Sequence, residues 1–205
     1  GYGVCVILVT HNGGLSWTDY GASVPTDHAL GFNSVAYVDS DHAWGTNHGV
    51  VWGTADGGQT WAPESYVHPY PAPTYPYYRV WFNSVTFENS QDGWAVGEAI
   101  GVSNPDWTTS CTTIFATTNG GATWTRQAQG STTGYLNAVS FTDASRGWAV
   151  GLEGYGSASA PIVYSTADGG ANWSSQYTGG KNYPYAISFP DADHGWIVGG
   201  GDIQS

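Results

Sequence analysis

The chain has 205 residues, with four Lys plus Arg against sixteen Asp plus Glu, a net charge of −12, and 15% aromatic residues. No cluster of Lys or Arg is available to neutralise phosphates, which excludes a nucleic-acid binder and a protein drawn to anionic membrane surfaces. Low charge with abundant Gly, Ser, Thr, Trp and Tyr suits an extracytoplasmic β-protein, whether secreted, periplasmic or on the cell surface.

Cys5–Thr10 reads as a short strand that runs into the phrase Thr10-His11-Asn12-Gly13-Gly14-Leu15-Ser16-Trp17. A second phrase follows at Phe32-Asn33-Ser34-Val35-Ala36-Tyr37-Val38-Asp39, closing on Trp44-Gly45. From there the two phrases alternate. The first returns with Asp56 and Trp61, with Asn119 and Trp124, and with Asp168 and Trp173. The second returns with Trp94, Trp148 and Trp196, each followed by an apolar pair and a glycine. Its Trp residues are 50, 54 and 48 residues apart, whereas those of the first phrase are 44, 63 and 49 apart. A period of about 40–50 residues with several short strands per unit is the signature of propeller blades.

Within one period the pattern is four strands, seen best in Asn137–Phe141, Trp148–Gly151, Ile162–Thr166 and Asn172–Ser175. Each is short, rich in β-branched and aromatic residues, and bounded by Gly, Asp or Asn. The expected fold class is therefore all-β: a β-propeller of four-stranded antiparallel blades. Three blades are expected at 32–66, 82–128 and 136–177, with half blades at 1–20 and 185–205. The half blades read either as two parts of one closed four-bladed ring or, as preferred here, as the ends of a segment of a larger propeller.

The Asp or Asn of each Gly-Gly turn (Asn12, Asp56, Asn119, Asp168) and its Trp (Trp17, Trp61, Trp124, Trp173) are expected to be structural. The short polar side chain accepts backbone N–H bonds, and glycine adopts positive φ cheaply. A catalytic residue is not needed once per blade. The Asp39-Ser40-Asp41-His42 and Asp191-Ala192-Asp193-His194 stretches have metal-ligand residue types. They are turns whose other two copies lack the His, so no metal and no cofactor is expected. Asn172-Trp173-Ser174 is a glycosylation sequon inside a repeat phrase, and is read as repeat. Cys5 and Cys111 fall at similar heights on strands two blades apart, too far for a disulfide between them.

The paired phrases resemble the Asp-box, or BNR, repeat, and in particular the photosystem II assembly/stability factor-like branch. That resemblance covers nearly the whole chain and implies a β-propeller. It implies no single activity, because similar repeats occur in sialidases, xyloglucanases and sortilin-type receptors. The factor-like branch implies a basic patch, and this chain has only Arg79, Arg126, Arg146 and Lys181. A sialidase implies three arginines converging on the substrate carboxylate, plus a Tyr nucleophile. Here Arg79 reads as linker, Arg126 as a strand and Arg146 as a turn.

Function is expected on the long-loop face, since variable loops on a regular scaffold carry binding. The insertion 65–81 holds Tyr70, Tyr75, Tyr77, Tyr78 and Trp81 among four prolines; 98–111 holds Trp107; 152–161 holds Tyr155. These aromatic residues are the expected binding surface, for a protein partner or surface assembly or, as the alternative, a glycan. The alternative is a glycoside hydrolase using Glu98, Asp106 and Glu153, since paired carboxylates about 5–10 Å apart serve that chemistry. The preferred expectation is a non-enzymatic binding or scaffold propeller.

Overall fold

The computed structural model describes residues 6–21, 31–47, 49–66, 79–100, 110–154, 159–177, 180 and 182–202. Every extended element is a β-strand, and all pairings are antiparallel. A first pair, β1 (Leu8–Val9) and β2 (Thr18–Asp19), precedes a four-stranded sheet of β3 (Ser34–Tyr37), β4 (Ala43–Asn47), β5 (Val50–Thr54) and β6 (Ala62–Tyr66). Seven strands follow in sequence order: β7 (Arg79–Phe87), β8 (Gly93–Ile100), β9 (Ser110–Thr117), β10 (Thr125–Phe141), β11 (Gly147–Glu153), β12 (Ala160–Thr166) and β13 (Ser174–Tyr177). A last pair is β14 (Asn182–Ser188) with β15 (Trp196–Asp202).

The seven-stranded sheet is two units sharing one strand. Residues Thr125–Thr133 of β10 pair with β9, and Gly134–Phe141 pair with β11. The changeover is at Gly134, whose φ is +154° and where a Cβ would lie 2.2 Å from the Leu152 carbonyl oxygen. Only glycine meets both demands. The chain thus comprises unit 1 (β3–β6), unit 2 (β7 to the first half of β10), unit 3 (the second half of β10 to β13) and the two flanking pairs. Arg79, expected in a linker, is the first residue of β7, opposite Ile100.

The core lies in the seams between units, and each seam is built alike. Trp44 of unit 1 lies flat on Phe87 of unit 2, with ring centroids 3.7 Å apart and planes 9° apart, and Trp124 meets the same Phe87 edge-on. The Trp44 indole N–H donates to the Gly120 carbonyl at 2.8 Å. One unit on, Trp94 lies on Phe141 at 3.6 Å, Trp173 meets that ring edge-on, and the Trp94 N–H donates to the Gly169 carbonyl at 2.9 Å. Trp148 lies on Phe189 at 3.7 Å. Aliphatic residues fill the rest, as in the cluster of Val96, Ile114, Leu136, Val139 and Ile162 between units 2 and 3. A second clamp joins the first strands: the Asn33, Asn83 and Asn137 amides donate to the carbonyls of Phe82, Leu136 and Pro184.

The turns close on themselves. Thr54 Oγ1 accepts the Gly58 N–H and donates to Asp56, which accepts the Thr60 N–H at 2.9 Å and the Thr60 hydroxyl at 2.6 Å. Asn12, Asn119 and Asp168 hold the same arrangement. The hydrogen bonds from Thr60 above all hold the Asp56 carboxyl below its ordinary value, and those from Asn172 do the same for Asp168. In the other turns, Asp39 and Asp191 each accept two backbone N–H bonds and face the ring Nδ1 of His42 and His194. Their oxygens are engaged in turn geometry.

Candidate functional site

Strand alternation decides which side chains share a seam. On β8, Trp94 and Val96 face unit 3, so Glu98 faces unit 3 as well. Glu98 stands opposite Trp81 on β7 and Thr112 on β9. Trp81, Glu98 and Thr112 therefore form one row across unit 2, at the strand ends that lead into residues 101–109. On unit 3, Ala149 faces unit 2 and Glu153 lies on the same side of β11. The Tyr164 hydroxyl of β12 donates to the Glu153 carboxylate. Tyr164 also bonds the Thr112 side chain across the seam, while burial, first, and then Glu153 push its phenol up to about 12.

The result is a polar strip at the loop end of the seam between units 2 and 3. It contains Trp81, Glu98, Thr112, Tyr164 and Glu153. Thr112 is buried; Trp81, Glu98, Tyr164 and Glu153 are half-buried. Among the described residues the preceding seam has no counterpart to the Glu153–Tyr164 pair. In the aligned columns Glu153 is replaced by Ala99 and Tyr164 by Phe115, both buried within an apolar cluster. A repeat that keeps an apolar pair in one seam and places a carboxylate–phenol pair in the next has departed from packing alone.

At neutral pH Tyr164 is a neutral hydrogen-bond donor, its phenol being held near 12. Tyr164 engages one Glu153 carboxylate oxygen, and Trp81 supplies a flat apolar surface. Of the carboxyls with a definite shift, Glu64 is raised by burial, but it lies on β6 against Gly53 and Gly121, in the other seam.

Glu98, Glu153 and Trp81 are brought to one seam. Tyr70, Tyr75, Tyr77, Tyr78, Asp106, Trp107 and Tyr155 lie outside the described residues, as does Cys5. Cys111 is buried on β9, where its Sγ donates to the Ala99 carbonyl at 3.6 Å. The three arginines sit at separate places: the start of β7, the first half of β10, and the turn after Phe141. Tyr164 and Thr112 are the members that sequence patterns missed. The signal for Tyr164 is a column comparison, in which Trp52, Phe115 and Tyr164 align and only the last is a phenol.

No protein-family model matches the chain, and no curated protein matches it. Solved structures do. A GH74 xyloglucanase from Xanthomonas campestris aligns over 96% of this chain and 32% of its own, at 14% identity and a TM-score of 0.64. The GH74 enzyme of Niastella koreensis aligns over 87% of this chain and 29% of its own, at 15% identity and a TM-score of 0.57. The fold is that of a β-propeller. The propeller units of this chain span about a third of the length of those two structures. A structure described as YCF48 bound to D1 peptide aligns over 76% of this chain and 56% of its own, at 20% identity and a TM-score of 0.32. No helix of the described residues is long and apolar enough to cross a membrane.

Proposed function

We propose that this propeller is an extracytoplasmic, non-enzymatic binding or scaffold protein of the Asp-box repeat type, and that it recognises its partner at the loop end of the seam between blades 2 and 3. The observation that carries this reading is the carboxylate–phenol pair Glu153–Tyr164, placed where the preceding seam has Ala99 and Phe115. A half-buried carboxylate beside an indole suits hydrogen-bond donors presented on an apolar surface, as a peptide or a sugar ring presents them. The insertions 101–109 and 155–158 begin at the ends of the same two strands, so Trp107 and Tyr155 belong to this surface in the same proposal.

A hydrolase reading draws on the placement of Glu98 and Glu153 in one seam. Binding is preferred because the insertions that continue these two strands carry Trp107 and Tyr155, aromatic residues of the kind that dominate contact surfaces.

One experiment separates the readings. The wild-type chain, Glu153→Gln and Glu98→Gln are screened against polysaccharide and extracellular-protein panels, with reducing-sugar release followed in parallel. The binding reading expects retention on one panel, reduced by at least about tenfold in Glu153→Gln, without sugar release; a tenfold change is about 1.4 kcal/mol. Sugar release lost in both variants would establish the hydrolase instead. Binding that ignores both substitutions would remove this seam from the account.

A further inference from the structure

The two seams that flank unit 2 are alike at the turn end and differ in the middle. Trp44 and Trp94 are both buried, each lies flat on a Phe ring, and each donates its indole N–H to a glycine carbonyl of the next unit. Further along β4, Thr46 comes two residues after Trp44 and stands opposite Val51, so it faces unit 2. On β9, Thr113 is two residues from both Cys111 and Phe115, so it faces unit 1. Both Thr residues are 0% exposed, and neither hydroxyl has a hydrogen-bond partner among the described residues. Between units 2 and 3 the same two columns hold Val96 and Ile162, both inside the apolar cluster.

The Thr pair weakens its seam in two ways. Each hydroxyl has left water without gaining a partner. Thr113 is also smaller than the Ile of its column, at a place that β8 cannot help to fill. It stands opposite Gly97, where a Cβ would run into the Trp81 carbonyl oxygen. Gly151, opposite Ile162, is confined in the same way by the Tyr135 carbonyl oxygen, and there the larger side chain fills the row. The backbone adds to the contrast. Units 2 and 3 share β10 and form one sheet, whereas unit 1 is a sheet of its own. Parting units 1 and 2 leaves both sets of ladder bonds intact. It releases side-chain bonds: Trp44 to the Gly120 carbonyl, Asn33 to the Phe82 carbonyl, and the Val85 N–H to Ser34 Oγ at 3.3 Å.

We propose that the seam between units 1 and 2 is a yielding joint: under native conditions β3–β6 part from unit 2 as one body, while units 2 and 3 stay together. Sub-global openings of this kind run through the least stable contacts of a fold. Thr46 and Thr113 set how often the joint opens. Each unpartnered hydroxyl favours the open form by about fivefold, so the pair contributes about 25-fold. The joint lies in a different seam from Glu98, Tyr164 and Glu153. Blade 1 therefore moves without disturbing the partner site proposed above, and the joint yields whether or not that site is used.

The test is hydrogen exchange followed by NMR on the 205-residue chain, under conditions where rates report the opening equilibrium. The Trp44 indole N–H and the Val85 amide are bonded across the seam between units 1 and 2, and the Trp94 indole N–H across the next. Trp44 and Val85 are expected to share one protection factor, at least about 25-fold below that of Trp94 and of the amides that bond β4 to β5. Thr46→Val combined with Thr113→Val keeps the shape of the seam and removes both hydroxyls. It is expected to raise the Trp44 and Val85 factors about 25-fold and to leave that of Trp94 unchanged. Equal factors for Trp44 and Trp94 in the wild type overturn the proposal. So does a valine pair that leaves Trp44 unchanged, or that raises Trp94 as much as Trp44. Amides of the β4–β5 ladder that exchange together with Trp44 overturn it too, since unit 1 would then be unfolding rather than parting.

Discussion

Trp94→Ala tests whether the seams hold this fold. Trp94 is 3% exposed, lies flat on Phe141 at 3.6 Å, and donates to the Gly169 carbonyl at 2.9 Å. Truncation removes the ring from a packed cluster and leaves a cavity, which costs about 3–5 kcal/mol. Against a total stability of about 5–15 kcal/mol that is a large fraction. Trp94→Phe keeps a ring on Phe141 but loses the N–H donor, worth about 1 kcal/mol, and a few buried carbons worth about as much again. We therefore expect about 2 kcal/mol for Phe and about 4 kcal/mol for Ala, read from urea midpoints at unchanged m-value with coincident fluorescence and circular-dichroism transitions. In a cycle with Phe141→Ala, the coupling should be about 0.5–1.5 kcal/mol. Zero coupling, or a Phe variant as damaged as the Ala variant, would refute the stacked joint as the stabilising element.

Three further outcomes follow from single sites. The hydroxyls of Thr46 and Thr113 are fully buried without a hydrogen-bond partner, where the aligned residues are Val96 and Ile162; Thr46→Val and Thr113→Val should each stabilise by about 1 kcal/mol in urea unfolding. Tyr164 titrates from about 12 in the folded protein against 10.0 unfolded, so its contribution is complete below pH 10.0 and is lost as pH rises through about 12; Tyr164→Phe should flatten the fall of melting temperature over that range relative to wild type. Asp56 has a depressed folded pKa, so its turn is stabilised above its ordinary value of 3.8 and weakened as pH falls below it. Asp56→Asn copies Asn119, whose amide donates to Thr123 at 2.9 Å, and should leave the melting temperature at pH 7 little changed while making the acid limb shallower.

The fold was legible because its signals are local and repeated. The Trp-Ala-Val-Gly strands and the Gly-Gly turns are written into neighbouring residues, and β8, β11 and their partners formed where that pattern placed them. The continuous β10 was not legible. A strand that serves two blades looks in sequence like a strand, a linker and another strand, and only the φ of Gly134 joins them. The site was half legible. Glu98 and Glu153 both follow a Trp-Ala-Val-Gly strand, but Glu98 is four residues after its Trp and Glu153 five after its own. They point to opposite sides of their blades, and so face the same seam. That placement depends on register between units. So does the partner of Glu153: Tyr164 sits eleven residues away on the next strand, in a column otherwise given to packing.

The most direct measurement on the central claim compares two double variants on whichever panel retains the wild type. Glu98→Gln with Glu153→Gln alters the loop end of the seam, and Asp39→Asn with Asp143→Asn alters turns on the opposite face, in units 1 and 3. The account predicts that binding falls at least about tenfold only for the loop-end pair. Loss of binding with the turn-end pair, and none with the loop-end pair, would contradict it.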